Sequence, residues 1–539
     1  MKRFKLQGRF GDSLAFLAGG SLPLAYAPYA LFPIAVFSPA LLFILWQNVS
    51  PRRAFWRGWL YGIGLFGVGV SWVHVSFHQF GGIPLFGAIL LTAGFVLGMA
   101  TYPALLGGLL TRFFPNNTLI KFLLVLPAAW TLMEWLRGWL LTGFPWLSLG
   151  YSQIDSPLNG FAPILGIYGV SWITVLTATL LVYLFNAFQP SLKKISSKEF
   201  SPALPAGGGE ERDISLEKNQ YFTINRPFIP IFSLIVIWGS GWYLSNISWT
   251  QPVGDSKKIA LIQGNIPQEF KWDSGYQIPS MERYLQLSQA HQDADIIIWP
   301  ETAIPLFYHD VSKYMPGFFE ILSENHIKHG TDFLIGVPVM EADGRYFNSV
   351  MSFGSQTGFY YKHHLVPFGE YIPFQSIFGS LLKLLDIPMS EFSVGDEEQT
   401  LIKSAGELIG VSICYEDAFG ELVRRSLPAA TLLVNVSNDA WFGDSIAPHQ
   451  HLEIARMRAL ENGRYLLRAT NTGISAVIDA KGKIIAKAPQ FEVITLRAQA
   501  QPYQGTTPFV YFGNILIVSF LMLCVLLGWI IQYIAPFNL

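Results

Sequence analysis

Charged residues are scarce in this chain of 539 residues, where Asp, Glu, Lys and Arg together make up 14%. A soluble protein usually carries about 25% charged residues, so the deficit predicts that much of the surface faces something other than water. The formal net charge is -1. A chain so nearly neutral lacks the basic surface that binds nucleic acid, and we expect no nucleic-acid partner.

Cysteine is almost absent, since only Cys414 and Cys524 occur. Two cysteines cannot build a disulfide framework or a four-cysteine zinc site. The histidines add no metal motif, because His449 and His451 are two positions apart and no HExxH sequence occurs. The sequence therefore predicts neither a metal site nor a cofactor.

Long apolar runs are what the sequence has instead. Apolar residues make up 51% of the chain, and a transmembrane helix needs about 20 mostly apolar residues in succession. Eight segments qualify, at about 12–28, 30–48, 56–77, 84–111, 120–140, 160–187, 228–247 and 509–534. The first two meet at a proline-rich junction and could instead form one kinked or re-entrant unit. We predict a polytopic α-helical membrane domain of about eight transmembrane helices, formed by residues 1–250 and a last helix in 504–539.

Lysine and arginine are distributed unevenly between the loops that join these segments. The N-terminal segment and the loops after the second, fourth and sixth spans contain fifteen, whereas the loops after the first, third and fifth contain one. Cytoplasmic loops are enriched in positive charge, so we expect both termini in the cytoplasm and residues 251–503 in the periplasm of an inner-membrane protein. The basic N-terminus is then an uncleaved anchor, and the polar stretch at 189–226 a mobile cytoplasmic loop.

The segment 251–503 has a different pattern from the rest of the chain. Short β-branched runs alternate there with helical patterns, and the runs lie at 258–264, 294–300, 332–339, 407–414 and 431–437. Such alternation predicts an α/β layered domain.

Three reactive residues, Glu301, Lys362 and Cys414, follow extended stretches in this segment. Ligands collect beyond the carboxyl ends of strands in α/β sheets, so we expect these side chains to lie close together although 61 and 52 residues separate them. A thiolate is a strong nucleophile and a nearby carboxylate can take the thiol proton. An ammonium group stabilises the thiolate and the oxyanion of a tetrahedral intermediate. Together they indicate acyl transfer through a thioester.

Each of these residues has a structural explanation when it is considered alone. A single cysteine on an apolar strand is usually a small core residue, Glu301 could cap a helix, and Lys362 could be a surface charge. The motifs that contain them, WPE, KHHLVPFGE and CYED, are more specific. These motifs resemble the nitrilase superfamily, whose members use a Glu-Lys-Cys triad on an αββα sandwich.

Longer strings narrow the resemblance to the apolipoprotein N-acyltransferase family. They are QGNIPQEFKWD (263–273), IIIWPETAIP (296–305), KHHLVPFGEYIP (362–373), ICYEDAF (413–419), the run 435–464 and, in the membrane region, GFPWLSLGYSQID (143–155). The resemblance implies phospholipid-dependent N-acylation of the diacylglyceryl-cysteine that begins an apolipoprotein, by ping-pong transfer with phosphatidylethanolamine as donor. We expect the enzyme to be a monomer.

The resemblance also implies a role for each matching residue. Cys414 becomes acylated, Glu301 is the general base, and Lys362 stabilises the transition state. Four supporting residues are implied as well: Glu370 to orient Lys362, and Tyr415, Glu416 and Trp272 to shape the pocket. Each of these four could also be a packing residue or the partner of a buried group.

Residues near these motifs are expected to be structural. They comprise a polar turn (Asn435, Asn438, Asp439), a solvated helix face (Arg456, Arg458, Arg464) and an interfacial tryptophan, Trp146. We expect the entrance to the site to face the membrane and to be lined by apolar loop residues within 305–320 and 374–394.

Two other functions are compatible with the sequence. A membrane-anchored amidase would use the same three residues with water as the second substrate, although eight helices exceed what tethering needs. A transporter or receptor with a degenerate nitrilase-like domain is a non-enzymatic alternative. The intact Glu301, Lys362 and Cys414 count against it, and the spans are nearly free of interior charges.

Overall fold

The computed structural model describes residues 8–198, 228–371 and 391–534. The structure has helix at residues 189–198, the first part of the predicted mobile loop, and the remainder of that loop, 199–226, lies outside this set. Of the predicted entrance segment 374–394, residues 374–390 lie outside the described residues.

Helices dominate the first half of the described chain. Those of twelve or more residues are α1 (Arg9–Ser21), α2 (Ile34–Leu45), α3 (Pro51–Gly69), α4 (Leu85–Met99), α5 (Thr101–Phe113), α6 (Leu126–Arg137), α7 (Ala162–Lys198), α8 (Phe228–Ser245), α9 (Ser274–Gln289), α10 (Phe318–His329), α11 (Ala447–Asn462) and α12 (Asn514–Ile534). Large apolar side chains are exposed on α4, α8 and α12, including Phe86, Ile235 and Ile515. A continuous apolar exterior of this kind is expected of helices that face lipid.

Four helices of the described chain are long and apolar enough to cross a membrane, or five if the bent pair Pro51–Gly69 and Val73–Phe80 forms one span. The expected count of about eight spans therefore stays a prediction. Helices α1 and α2 have 13 and 12 residues. Each rises about 20 Å, less than the roughly 30 Å of a hydrocarbon core. Their length favours the kinked or re-entrant alternative for this part of the chain.

Two six-stranded sheets form the part of the chain between α8 and α12. The strands are β1 (Thr250–Pro252), β2 (Lys257–Gln263), β3 (Ile296–Ile298), β4 (Asp332–Met340), β5 (Tyr346–Phe353), β6 (Gly358–Tyr361), β7 (Ile402–Ser404), β8 (Glu407–Ile413), β9 (Leu432–Ser437), β10 (Leu466–Thr470), β11 (Ala476–Ile478), β12 (Ile484–Lys487), β13 (Ile494–Ala500) and β14 (Tyr503–Gly505). One sheet has the order β13-β2-β3-β4-β5-β6 and the other β12-β11-β10-β9-β8-β7, while β1 pairs with β14.

The two sheets pack face to face and each is covered by helices on its outer side. A core between them joins residues of both sheets, such as Ile298 on β3 and Val434 on β9. Helices α9 and α10 pack on the first sheet, and α11 packs on the second. This is the predicted αββα sandwich, and all five predicted strand runs lie on strands of it. The buried strands β3, β4 and β9 are apolar throughout because both of their faces are covered.

Helix α11 also contacts the membrane part of the chain. Ile454, Met457 and Leu460 belong to the large core that includes α1, α2, α3, α6 and α7. The opposite side of the helix, with Leu452 and Ala459, belongs to the core under the second sheet. Helix α11 is therefore buried between the two halves of the protein.

Candidate active site

Glu301 lies three residues beyond the end of β3, in the turn that follows this strand. Its Oε1 accepts a hydrogen bond from Asn348 Nδ2 at 2.7 Å, and its Oε2 accepts one from the backbone N–H of Asn438 at 2.8 Å. The side chain is buried. Fixed donors on both oxygens hold the carboxylate in one orientation, as a general base requires.

Lys362 follows β6 and is 1% exposed. Its Nζ lies 2.9 Å from Glu370 Oε1 and 3.4 Å from Glu301 Oε1. Burial disfavours the ammonium form, but the two carboxylates outweigh it and raise the pKa of Lys362 above its ordinary value. Lys362 is therefore a permanently charged group next to the candidate base.

Cys414 follows β8 directly and begins a short 3-10 turn, Cys414–Ala418. Its φ is 52°, in the left-handed region that residues with a side chain rarely adopt. Burial raises the pKa of the Cys414 thiol, as does the Glu301 carboxylate, whereas Lys362 lowers it. The net shift is upward, so Cys414 rests as a thiol and must lose its proton to a base when it reacts.

Glu370 connects the candidate base to the lysine. It shares Asn348 with Glu301, because Asn348 Nδ2 also lies 2.9 Å from Glu370 Oε1. Glu370 Oε2 accepts a hydrogen bond from the backbone N–H of Val366 at 2.8 Å. Glu370 thus fixes Lys362 in the position that its predicted orienting role needs.

Glu416 is fully buried and joins the nucleophile's turn to the segment after Lys362. Its Oε1 accepts from the backbone N–H groups of His363 at 2.7 Å and His364 at 3.0 Å, and its Oε2 from that of Ile413 at 2.7 Å. The hydroxyl of Tyr360 donates to the same carboxylate at 3.0 Å. The four donors set the spacing between Lys362 and Cys414.

Replacing Glu416 by glutamine tests this spacing role. The amide nitrogen of Glu416→Gln cannot accept from the N–H groups that face it, so at least one stays unsatisfied in the interior. We expect the free energy of unfolding to fall by about 2 kcal/mol and the rate of the reaction at Cys414 to fall about tenfold. Thermal unfolding and initial rates measure the two effects.

The matched control is Glu341→Gln, because Glu341 also accepts from a tyrosine hydroxyl, that of Tyr361 at 3.0 Å, but at an exposed position. We expect both its stability and its rate to stay close to those of the unsubstituted protein. Equal behaviour of the two variants would contradict the role given to Glu416.

Tyr415 connects the turn to the membrane part of the chain. Its hydroxyl donates to the carbonyl of Gly143 at 3.1 Å, and its ring stacks on Trp146 at 6.3 Å between centroids. Trp146 was expected to lie at the membrane interface, and this was wrong: it is 1% exposed and donates from Nε1 to Gln450 Oε1 at 2.7 Å. The motif containing Gly143 and Trp146 therefore packs against the candidate site.

Two residues at the site escaped sequence reasoning. Asn348, on β5, bridges Glu301 and Glu370, and nothing in its local sequence marks it. Lys271 is 5% exposed and donates from Nζ to the carbonyl of Glu301 at 3.1 Å. Burial lowers the pKa of Lys271 to about 8. Lys271 belongs to the FKWD string, which could have pointed to it. From that string the sequence analysis proposed only the neighbouring Trp272, which is partly buried.

The expected solvated face of three arginines is also wrong for two of them. Arg458 and Arg464 are 0% exposed. Arg458 pairs with Glu461 at 3.0 Å, and Arg464 donates from Nε to the carbonyl of Ala430 at 2.7 Å. Arg456 pairs with Asp155, which lies in the membrane part of the chain.

Candidate metal ligands do not gather in the described part of the chain. No group of three or more His, Cys, Asp and Glu residues there could hold a metal ion.

Two family models match the two halves of the chain. A model of the apolipoprotein N-acyltransferase N-terminal domain matches residues 18–180, and a carbon-nitrogen hydrolase model matches residues 258–506. The apolipoprotein N-acyltransferase of Methylococcus capsulatus is 42% identical over 502 residues, which are 93% of this chain and 92% of that protein. That of Vibrio parahaemolyticus is 39% identical over 526 residues, 96% of each chain. The crystal structure of Nit3 from Saccharomyces cerevisiae, a member of the nitrilase superfamily, covers 46% of this chain with 19% identity and a TM-score of 0.35.

Proposed function

This chain belongs to the apolipoprotein N-acyltransferase family and is an acyltransferase of the nitrilase superfamily, and from that premise we propose its reaction. Phosphatidylethanolamine, the phospholipid donor, transfers one of its acyl chains to Cys414. The resulting thioester passes the acyl chain to the α-amino group of the diacylglyceryl-cysteine at the start of an apolipoprotein. The convergence of Glu301, Lys362 and Cys414 is the observation that carries the proposal.

The first half-reaction forms the thioester. Glu301 takes the thiol proton of Cys414 while the sulfur attacks the ester carbonyl of the phospholipid. Lys362 stabilises the oxyanion of the tetrahedral intermediate through its fixed charge. The carbon–oxygen bond of the ester then breaks, and Glu301 returns the proton to the departing hydroxyl of the lysophospholipid.

The second half-reaction consumes the thioester. The neutral α-amine attacks the thioester carbonyl and Glu301 takes one proton from its nitrogen. The carbon–sulfur bond breaks, an amide forms, and the proton returns to the Cys414 sulfur. Thiol and carboxylate are restored, so the two half-reactions alternate in a ping-pong cycle.

The membrane-spanning part has a physical role in this reaction. Both substrates carry acyl chains in the bilayer, and moving one into water costs about 0.8 kcal/mol per CH₂ group. We infer that the site lies over the outer leaflet of the inner membrane, with the catalytic segment in the periplasm and both termini in the cytoplasm, as the positive charge of the loops indicates. Glu301, Lys362 and Cys414 all come from one chain, so we propose that it acts as a monomer.

Labelled lipid tests the proposed intermediate. We expect the purified full chain in detergent micelles, incubated with phosphatidylethanolamine labelled on its sn-1 acyl chain, to carry the label on Cys414. Peptide mass spectrometry locates the adduct, hydroxylamine removes it because it is a thioester, and a diacylated lipopeptide discharges it as the N-acylated product. A folded protein that forms no adduct but hydrolyses short amides would overturn the proposal in favour of an amidase.

A further inference from the structure

A row of buried polar residues crosses the second sheet directly behind the candidate nucleophile. Ser412 on β8, Asn435 on β9 and Arg468 on β10 are aligned in register. Asn435 Nδ2 donates to Ser412 Oγ at 3.0 Å, and its Oδ1 accepts from Arg468 Nη1. The row is buried. Asn435 was expected to lie in a polar turn, but it lies on β9, on the face of the sheet that α11 covers.

His451, in the first turns of α11, completes this row and is 0% exposed. Its Nδ1 lies 3.0 Å from Asp439 Oδ1, and its Nε2 lies 2.9 Å from Asp417 Oδ1. Arg468 also reaches both aspartates, at 2.9 Å from Asp439 Oδ2 and 3.3 Å from Asp417 Oδ2. These four charged residues form the His451 cluster: His451, Arg468, Asp417 and Asp439. Their charges cancel only when His451 carries a proton on each ring nitrogen.

The surroundings of His451 Nδ1 fit both of its protonation states. Asp439 can only accept a hydrogen bond from Nδ1, whereas Arg468 Nη2, at 2.8 Å, can only donate one to it. Protonated Nδ1 therefore donates to Asp439, and deprotonated Nδ1 accepts from Arg468. The ring can change its charge without leaving its place.

The cluster is connected to the reactive groups at two points. The carbonyl of Cys414 accepts from His451 Nε2 at 3.2 Å and from Asn435 Nδ2 at 3.3 Å. Asp439 follows Asn438, whose backbone N–H binds Glu301 Oε2. The nucleophile and the base are thus both attached to the same buried charges.

Taking Cys414 as the nucleophile of the proposed function, we propose that His451 is a positioning residue for it. The imidazolium holds the Cys414 carbonyl and with it the left-handed backbone of the turn. It also neutralises the negative charge of the aspartates behind the thiol. This lowers the free-energy cost of the thiolate that forms when Glu301 takes the proton. His451 touches neither substrate, so its effect on the reaction passes through Cys414.

The cluster gives this role a pH dependence. The groups facing the ring are Asp417 and the Cys414 carbonyl from the 3-10 turn, Asp439 after β9, and Arg468 on β10. Burial and Arg468 lower the pKa of His451, but the two aspartates outweigh them and raise it to about 9. The stabilisation is therefore fully present below pH 6.5, the ordinary pKa of histidine, and is lost as the pH rises through about 9. Above that pH the cluster carries one net negative charge, which opposes formation of the thiolate.

Alkylation of Cys414 by iodoacetamide tests the proposal without any lipid. We expect His451→Gln, which keeps an N–H donor near Nε2 but cannot be charged, to react about tenfold more slowly than the unsubstituted full chain at pH 7. The two rates should converge to within about twofold at pH 10, where the unsubstituted protein has lost the same charge. Peptide mass spectrometry follows the reaction in detergent micelles. A purely structural defect would give a rate ratio that does not change with pH.

Two further variants make the test decisive. Glu453→Gln removes another buried titratable group from α11, one that accepts from the backbone N–H of Ala27 at 3.1 Å, and should leave the Cys414 profile unchanged. If His451→Gln does not fold, Asp417→Asn replaces it and should move the pH step from about 9 toward 6.5. A constant rate ratio for His451→Gln, or an unmoved step for Asp417→Asn, overturns the proposal. Because alkylation needs no lipid, a failure here is distinguishable from the absence of a labelled thioester.

Discussion

Replacing Cys414 by serine is expected to lower the rate of acyl transfer by at least about 10⁴-fold, because a neutral hydroxyl is a far weaker nucleophile than a thiolate. The position is buried and the oxygen is smaller than the sulfur, so the turn Cys414–Ala418 should form as before. Single-turnover assays with labelled phospholipid and a diacylated lipopeptide measure the loss. Thermal unfolding checks that the variant is folded.

The chain provides its own control in its other cysteine. Cys524 is buried in α12, far along the chain from the candidate site. Cys524→Ser makes the same sulfur-to-oxygen change at a different position, and we expect this variant to retain full activity. If Cys414→Ser transferred acyl chains at a rate within tenfold of the unsubstituted enzyme, the thioester mechanism would have to be abandoned.

Replacing Lys362 by methionine is expected to have two large effects. Glu301 and Glu370 would share Asn348 with no cation between them, and an unpaired buried charge costs about 3 kcal/mol of stability. The oxyanion and the thiolate would both lose the positive charge of Lys362, so we expect acyl transfer to fall about 10³-fold. Chemical denaturation measures the first effect and kcat/KM the second.

Lys257 supplies the matched control for Lys362. It also bonds a glutamate, Glu407 at 3.2 Å, but it is partly exposed at the start of β2. Lys257→Met should cost no more than about 1 kcal/mol and leave the rate unchanged. A Lys362→Met enzyme with normal kcat/KM and an unshifted alkylation profile at Cys414 would refute the role given to Lys362.

The sequence pattern predicted a layered α/β domain and the meeting of its three reactive residues for one physical reason, whereas the αββα sandwich was implied by the resemblance of the motifs. Buried strands are apolar on both faces, so they stand out as short β-branched runs, and reactive residues directly after such runs must gather where the strands end. Glu301 and Cys414 follow this rule at the ends of β3 and β8.

The charged interior around Cys414 could not be predicted in the same way. Arg458 and Arg464 were expected on a solvated face, since the segment 449–464 shows no continuous apolar stripe in the sequence. Helix α11 is instead buried along most of its surface, and several of its polar groups are paired with residues distant in sequence, as His451 is with Asp417. Burial of a polar residue depends on those partners, and a local window does not contain them.

The number of spans stays a prediction, and hydropathy alone is a limited guide to it for a related reason. A hydropathy window records apolar residues without regard to whether they face lipid or protein. Helices α1 and α2 are apolar because they pack against α3 and α7. Proline residues shorten both, in the turn Leu22–Ala25 that follows α1 and at Pro33, which precedes the start of α2. Apolar content alone therefore overstates the length of regular helix here.

The two parts of this enzyme are separate segments of the sequence, but α11 packs them against each other in the folded protein. Gln450 accepts from Trp72 and Trp146 and donates to the carbonyl of Gly69. Further along the same helix, Glu461 binds the backbone N–H of Ile167. A hydrolase segment excised or transplanted at its sequence boundaries would leave these polar groups without partners beside a large apolar face. Chimeras between relatives must therefore exchange α11 together with the membrane loops it contacts.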